Sequence, residues 1–316
     1  MNERQKIKVL QISGTGRSGS TLLARLLGQA SGAFSPGETR NIWRDAFMLN
    51  TLCECGAEFN RCDFWTAVVK EAYGGFENIQ GRAVDSLLHE VAGPRGVPFL
   101  VSPLLTRGYV KLFQEHADLL RSLYEGIAKV SGCSLIVDSS KNPGYGFLLS
   151  RLPFVELHVL HLVRDSRAVA FSYQRMKVRP EFDRKTTYME TNSPYRSALV
   201  WLATNSVIAS LRARSVSFQF VRYEDLISRP EATLRAIFST VGLNGVALDY
   251  LSDGTAMLDK GHTAAGNPMR FDSGPVELRP DEEWRDSMAP LQKDIVTALT
   301  WPLLLRFGYW KRNGRH

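Results

Sequence analysis

The segment GTGRSGST at 14–21 constrains this chain more than any other. It follows VLQIS at 9–13, an apolar run with β-forming residues, and leads into a stretch with Leu22, Leu23, Leu26 and Leu27 at helical spacing. Glycines at 14, 16 and 19 allow a sharp turn between the two. The helix that follows directs unpaired N–H groups and its positive end at the loop, so a phosphate is the expected guest.

The same order recurs. Apolar runs over Val9 to Ser13, Leu135 to Ser139, Val155 to Val163 and Val216 to Tyr223 alternate with helical patterns at Thr21 to Gln29 and Arg196 to Arg212. The second helix carries Leu199, Leu202, Ile208 and Leu211 on its expected apolar face. Such alternation predicts an α/β protein: a three-layer, P-loop-like fold with a central, mainly parallel sheet flanked by helices, binding ligands at the carboxyl ends of its strands. At 316 residues, with no internal repeat, residues 1–316 read as a single domain. Residues 51–106, with the turn-rich GGFENIQG and AGPRGVP, break the alternation and are expected as an insertion covering the site. Phe59, Phe64, Trp65, Tyr73 and Phe76 within it suit either an acceptor wall or core packing. Residues 249–274, with Gly, Asn and Pro at intervals, are expected as a loop or closing lid.

A formal charge of +7 favours anionic ligands. Nucleic acid is not expected, because the basic residues are scattered, no zinc-finger or RRM signature occurs, and the one terminal basic cluster is KRNGRH at 311–316. No apolar run approaches the roughly 20 residues of a membrane helix, and the opening MNERQKIKVLQIS has no signal-peptide pattern, so a cytoplasmic enzyme is expected. Cys53, Cys55 and Cys62 cluster in CECGAEFNRC while Cys133 stands apart, which is no disulfide framework. A structural zinc site takes four Cys or His ligands. No histidine neighbours the cluster in sequence, so reduced or locally paired cysteines and no metal are expected.

The spacing from Gly14 to Gly19 matches the loop of nucleoside triphosphatases, but Ser20 follows Gly19 where those enzymes carry a lysine. Here the cation is Arg17, placed to hold a phosphate bearing one terminal anionic group with no metal. A P-loop kinase using Asp138 as its Mg²⁺ ligand is therefore disfavoured, and a non-catalytic nucleotide sensor remains the other rival.

RSGST at 17–21 also resembles the phosphosulfate loop of the sulfotransferases that use 3′-phosphoadenosine 5′-phosphosulfate (PAPS), of form [RK]-S-G-[ST]-T after the first strand. HVLHLVRDSRAVAFS at 158–172 is similar to that family's 3′-phosphate element, Arg-x7-Ser, in Arg164 and Ser172. FVRYEDL at 220–226 looks like its strand-end tyrosine segment, with Tyr223 beside the adenine. The resemblance implies a donor site of Gly16, Arg17, Ser18, Gly19, Ser20, Thr21, Arg164, Ser172 and Tyr223, with adenosine 3′,5′-bisphosphate as product and no metal requirement.

FSPGETRNI at 34–42 resembles the G-E-T-R segment of tyrosylprotein sulfotransferases, which implies Glu38 as catalytic base. KNP at 141–143 is similar to their K-D-P, which implies Lys141 near the transferring group, with Asn142 in place of Asp. With Arg17 these form the expected catalytic set. On spacing alone, Glu38 also suits a solvated loop carboxylate and Lys141 a turn lysine before Pro143. Asn267 and Arg270, in GNPMRF at 266–271, are expected to close over the nucleotide, although the R-K-G triplet of the cytosolic branch is missing. The expected acceptor carries a hydroxyl. Neither its class nor the oligomeric state follows from the sequence.

Overall fold

The computed structural model describes residues 6–93, 103–180, 187–212 and 217–310. Its centre is β1 (Ile7–Ser13), whose last five residues are all buried, as the middle strand of a parallel sheet requires. On one side lie β3 (Leu135–Lys141) and then β2 (Ala33–Gly37); on the other lie β4 (Val155–Val163) and then β7 (Phe218–Arg222). All four pairings are parallel. Because β3 and β4 flank β1 on opposite sides, the chain's winding reverses at β1, and a crevice opens at its carboxyl end where the glycine loop begins.

Alternation along β1 splits the core. Val9 joins Ile136 on one face, while Leu10 and Ile12 join Val137 and Leu160 on the other. The second face is covered by α1 (Ser20–Gly28) and later helices, including Leu234, Ile237 and Phe238. The first is covered by α3 (Asp63–Tyr73), α4 (Gly81–Ala92) and α5 (Pro103–Ser131), with the short α2 (Thr39–Ile42) entering that layer from β2. The three-layer expectation holds.

Two sequence expectations are corrected here. The described part of the 51–106 stretch does not cover the site but builds one of the two helical layers, with Phe59 and Trp65 fully buried and Phe64, Tyr73 and Phe76 packed beside them. Most of AGPRGVP lies outside the described residues, as do Val216 and KRNGRH. The 249–274 stretch is no loose lid either. It forms a short hairpin, Leu251–Ser252 with Thr255–Leu258, and then a strap against β2 in which Ala264, Ala265 and Arg270 are buried. β2 itself escaped the sequence reading because Pro36 interrupts it, and as an edge strand it tolerates the missing donor.

β3 is followed by α6 (Pro143–Leu149), β4 by α7 (Ser166–Gln174), and the hairpin of β5 (Val178–Arg179) and β6 (Thr187–Tyr188) leads to α8 (Pro194–Leu211). In α8 the inward face is Ala198, Trp201, Asn205 and Ile208; Leu199, expected inside, is exposed. The polar Asn205 is inside because its side-chain oxygen accepts a hydrogen bond from Nε2 of His161, buried in β4, at 2.8 Å.

Burial pushes the pKa of His161 from 6.5 down to about 4. The unfolded chain therefore binds the proton more readily, so His161's contribution is fully present above about pH 6.5 and is lost as pH falls toward 4. The full loss is about 3 kcal/mol. Urea unfolding at pH 7 and pH 4.5 should show this drop in the native protein, and His161→Gln, which keeps a donor for Asn205, should lose most of it. Parallel pH profiles for the two proteins would rule it out.

Candidate active site

The chain leaves the sheet at Ser13, and the Gly14 N–H donates to the carbonyl of Lys141 at the end of β3, 3.2 Å away. Two tyrosines press on the loop that follows. A Cβ on Gly16 would overlap the Tyr173 hydroxyl, and one on Gly19, which has φ 88° at the head of α1, would overlap the Tyr223 ring. Arg17 has φ 65°, a left-handed conformation uncommon for a residue with a side chain. Its guanidinium lies over Tyr173, with Nη1 3.1 Å from the Met189 sulfur. Its Nη2 is buried with no hydrogen-bond partner among the described residues.

The loop opens on a cleft of about 860 Å³. Arg164, just beyond β4, spans it: Nη1 donates to the Arg17 carbonyl at 3.1 Å, Nη2 bonds Asp281 at 2.8 Å, and the plane lies over the Tyr223 ring. Ser172, on α7, lines the same space, as does Lys177. Burial, together with Arg17, Arg175 and Arg164 nearby, pushes the Lys177 ammonium below its usual range. Burial is the larger cause, but Arg17, Arg164 and Lys177 line the same cleft, a setting that favours an anion.

At the opposite wall β2 ends in Gly37, φ 90°, where a Cβ would overlap the Ala265 carbonyl. This close approach turns the chain so that Glu38 enters the cleft, its N–H bonded to Ala265 at 3.0 Å. Glu38 Oε1 pairs with Lys141 Nζ, and Oε2 accepts from Asn41 at 2.6 Å. Lys141 is itself left-handed, φ 62°, which lifts its side chain off the end of β3. Asn142 departs from the expected Asp yet does a carboxylate's local work: its Oδ1 caps α6 by accepting from the Tyr145 N–H at 2.9 Å.

Asp138, the residue a Mg²⁺-nucleotide enzyme would use, is turned away. It is fully buried among Thr39, Tyr124 and Ser140, which donate to both its oxygens, and burial raises its carboxyl above the usual range. The network pins Thr39, the neighbour of Glu38, to β3.

The sequence profile described as the sulfotransferase family matches residues 10–246, three quarters of the chain. The chain belongs to that family. A search of curated proteins finds no match. Among solved structures, it is similar to the sulfotransferase domain of the olefin synthase of Synechococcus PCC 7002 at 18% identity, with 96% of each chain covered and a TM-score of 0.51. It is also similar to the sulfotransferase domain from the curacin biosynthetic pathway at 17% identity, covering 95% of this chain and 98% of that one, with a TM-score of 0.51. At these identities the likeness shows the fold. No helix among the described residues of this sulfotransferase is long and apolar enough to cross a membrane.

Of the residues the sequence singled out, Gly16, Arg17, Gly19, Ser20, Thr21, Glu38, Lys141, Arg164, Ser172, Tyr223 and Asn267 line one cleft of this sulfotransferase. Two do not. Ser18 is wholly buried beneath the loop, close under Gly14. Arg270 is also buried, facing away to hold the carbonyls of Gly266 at 2.7 Å and Leu52 at 3.2 Å. Nucleotide contact by Arg270 is therefore corrected to a bracing role. Asn267 lines the cleft while its Oδ1 caps the turn Pro268–Phe271. Tyr173, Lys177 and Asp281 also line the cleft and were missed. Tyr173 adjoins Ser172, a usable signal; Lys177 and Asp281 carry none.

The three clustered cysteines are free, as expected, but the fold gives them a neighbour that the sequence did not. His262, absent from the neighbourhood in sequence, is brought by the strap to within 3.3 Å of Cys62 Sγ and 3.9 Å of Cys53 Sγ through its Nδ1.

Proposed function

We propose that this sulfotransferase takes its sulfuryl group from PAPS, passes it to a hydroxyl of its acceptor, and releases adenosine 3′,5′-bisphosphate. One observation carries the reading: Arg17, Lys141, Arg164 and Lys177 converge on a cleft at the mouth of the glycine loop, while Asp138 is committed to the core. The residues fit such a donor. The buried, unpartnered Nη2 of Arg17 and the free N–H groups at the start of α1 suit the 5′-phosphosulfate. Arg164 and Ser172 suit a second phosphate, and the Tyr223 ring an adenine.

Glu38 accepts the proton of the acceptor hydroxyl as that oxygen bonds to sulfur and the bond from sulfur to the phosphate oxygen breaks in line. Arg17 and Lys141 stabilise charge on the sulfuryl and leaving oxygens, donors of a kind whose removal typically costs about 3–4 kcal/mol each. Calorimetric titration with adenosine 3′,5′-bisphosphate, and separately with ATP and Mg²⁺, tests the donor class. Tight binding of the bisphosphate, unaffected by chelator and unmatched by ATP, is the expected result. A preference for Mg²⁺–ATP would overturn it.

A further inference from the structure

Four soft donor atoms lie together outside the cleft: the sulfurs of Cys53, Cys55 and Cys62 and Nδ1 of His262 are all within 4.8 Å of one another. Cys53 and Cys55 come from a tight turn closed by the Gly56 N–H to the Cys53 carbonyl at 2.8 Å, with Gly56 at φ 92°. Cys62 stands at the head of α3, and His262 arrives 200 residues later on the strap. The imidazole is held in place, stacked on Phe64 with ring centroids 4.9 Å apart, and the Trp65 indole N–H donates to the His262 carbonyl at 2.7 Å.

Ordinary packing buries cysteines as small apolar groups but does not set the edges of a polyhedron. Metal–sulfur bonds of about 2.3 Å and metal–nitrogen bonds of about 2.0 Å in a tetrahedron give edges of about 3.8 Å between sulfurs and about 3.6 Å from sulfur to nitrogen. The observed contacts are 3.7 Å from Cys55 to Cys62, 3.3 Å from Cys62 to His262 and 3.9 Å from Cys53 to His262. We propose that Cys53, Cys55, Cys62 and His262 form a tetrahedral structural zinc site that ties the strap to the start of the helical layer. Three thiolates and an imidazole are a zinc donor set, and four protein ligands leave no open position for chemistry.

What the site fixes follows from its neighbours. Glu54, between two of the cysteines, pairs with Thr263 in both directions, at 3.0 and 3.1 Å, and with Arg25 of α1 at 2.9 Å in a fully buried ion pair. Three residues beyond His262, Ala265 holds the Glu38 N–H. The metal would thus anchor the segment against which the Glu38 loop is built, whatever donor the cleft accepts.

The full chain, made without a histidine tag and with zinc in the medium, is analysed for bound metals by plasma mass spectrometry after dialysis against a competing chelator. About one zinc per chain is expected for the native protein and for Cys133→Ser, and less than about a tenth of that for Cys62→Ser and His262→Ala. Native protein free of zinc after reconstitution, iron or copper in its place, a disulfide among the three cysteines, or full zinc in the two variants would each overturn the proposal. Should the variants fail to fold, Co²⁺ alone added to the native apoprotein decides: intense visible bands with sulfur charge transfer support the site, and a weak octahedral spectrum overturns it. A zinc failure leaves bisphosphate binding intact, and a donor failure leaves zinc content unchanged, so the two readings fall separately.

Discussion

Glu38→Gln is expected to lower turnover by about 10²–10⁴-fold, the range for loss of a positioned general base, while binding adenosine 3′,5′-bisphosphate no more weakly than the native protein. The amide has the shape of the carboxylate and keeps an oxygen for Asn41 or Lys141, so the strap contact at Ala265 survives. Removing the negative charge beside Lys141 also removes repulsion toward an anionic nucleotide. Titration of the bisphosphate separates binding from chemistry, and the pH dependence of kcat/KM supplies the second readout, since the limb that rises with deprotonation of the base should vanish in the variant. Full turnover with an unaltered profile would make Glu38 a counter-ion for Lys141 and send the proton elsewhere.

Arg164→Ala is expected to weaken the bisphosphate by roughly 10- to 100-fold, as loss of a charged hydrogen-bonding group does. Its consequences spread further, because Nη1 of Arg164 also holds the Arg17 carbonyl. Loosening that loop should weaken adenosine 5′-phosphate as well, by a smaller factor. Ser172→Ala is the cleaner instrument: its hydroxyl lines the cleft and braces nothing described, so it should cost the bisphosphate up to about tenfold and the monophosphate almost nothing. Equal losses for the two ligands in Ser172→Ala would place the 3′-phosphate elsewhere.

How much could be read in advance depended on how local each signal was. The phosphate loop, β1 and α1 are contiguous, so glycine spacing and leucine periodicity located them to within about two residues. Arg164 and Ser172 were legible because a strand end and the next helix occupy one short stretch of chain. Arg270 failed on the same grounds: a basic residue near a glycine suggested a nucleotide contact, and nothing local says that Leu52, far away in sequence, takes up its Nη2. His262 failed likewise, its partners lying 200 residues upstream. The 51–106 stretch misled for another reason. Its turn-rich segments break the strand–helix alternation, yet a sheet needs both faces covered, and the second helical layer had to come from somewhere. In α8 Leu199, expected inside, lies outside, while Asn205 is drawn inside by a buried histidine that no local pattern announces.

Arg17 and Lys141 both sit in the left-handed region that glycine occupies freely, at a cost of order 1–3 kcal/mol each for a residue with a side chain. Selection for thermal robustness alone would therefore press on these two positions first, offering glycine or asparagine as improvements. A library screened only for survival at high temperature should drift there and emerge tougher and inactive, whereas one screened for turnover should hold both cations and find its gains elsewhere. On the proposed mechanism, these two departures from easy backbone geometry are places where the chain trades endurance for work.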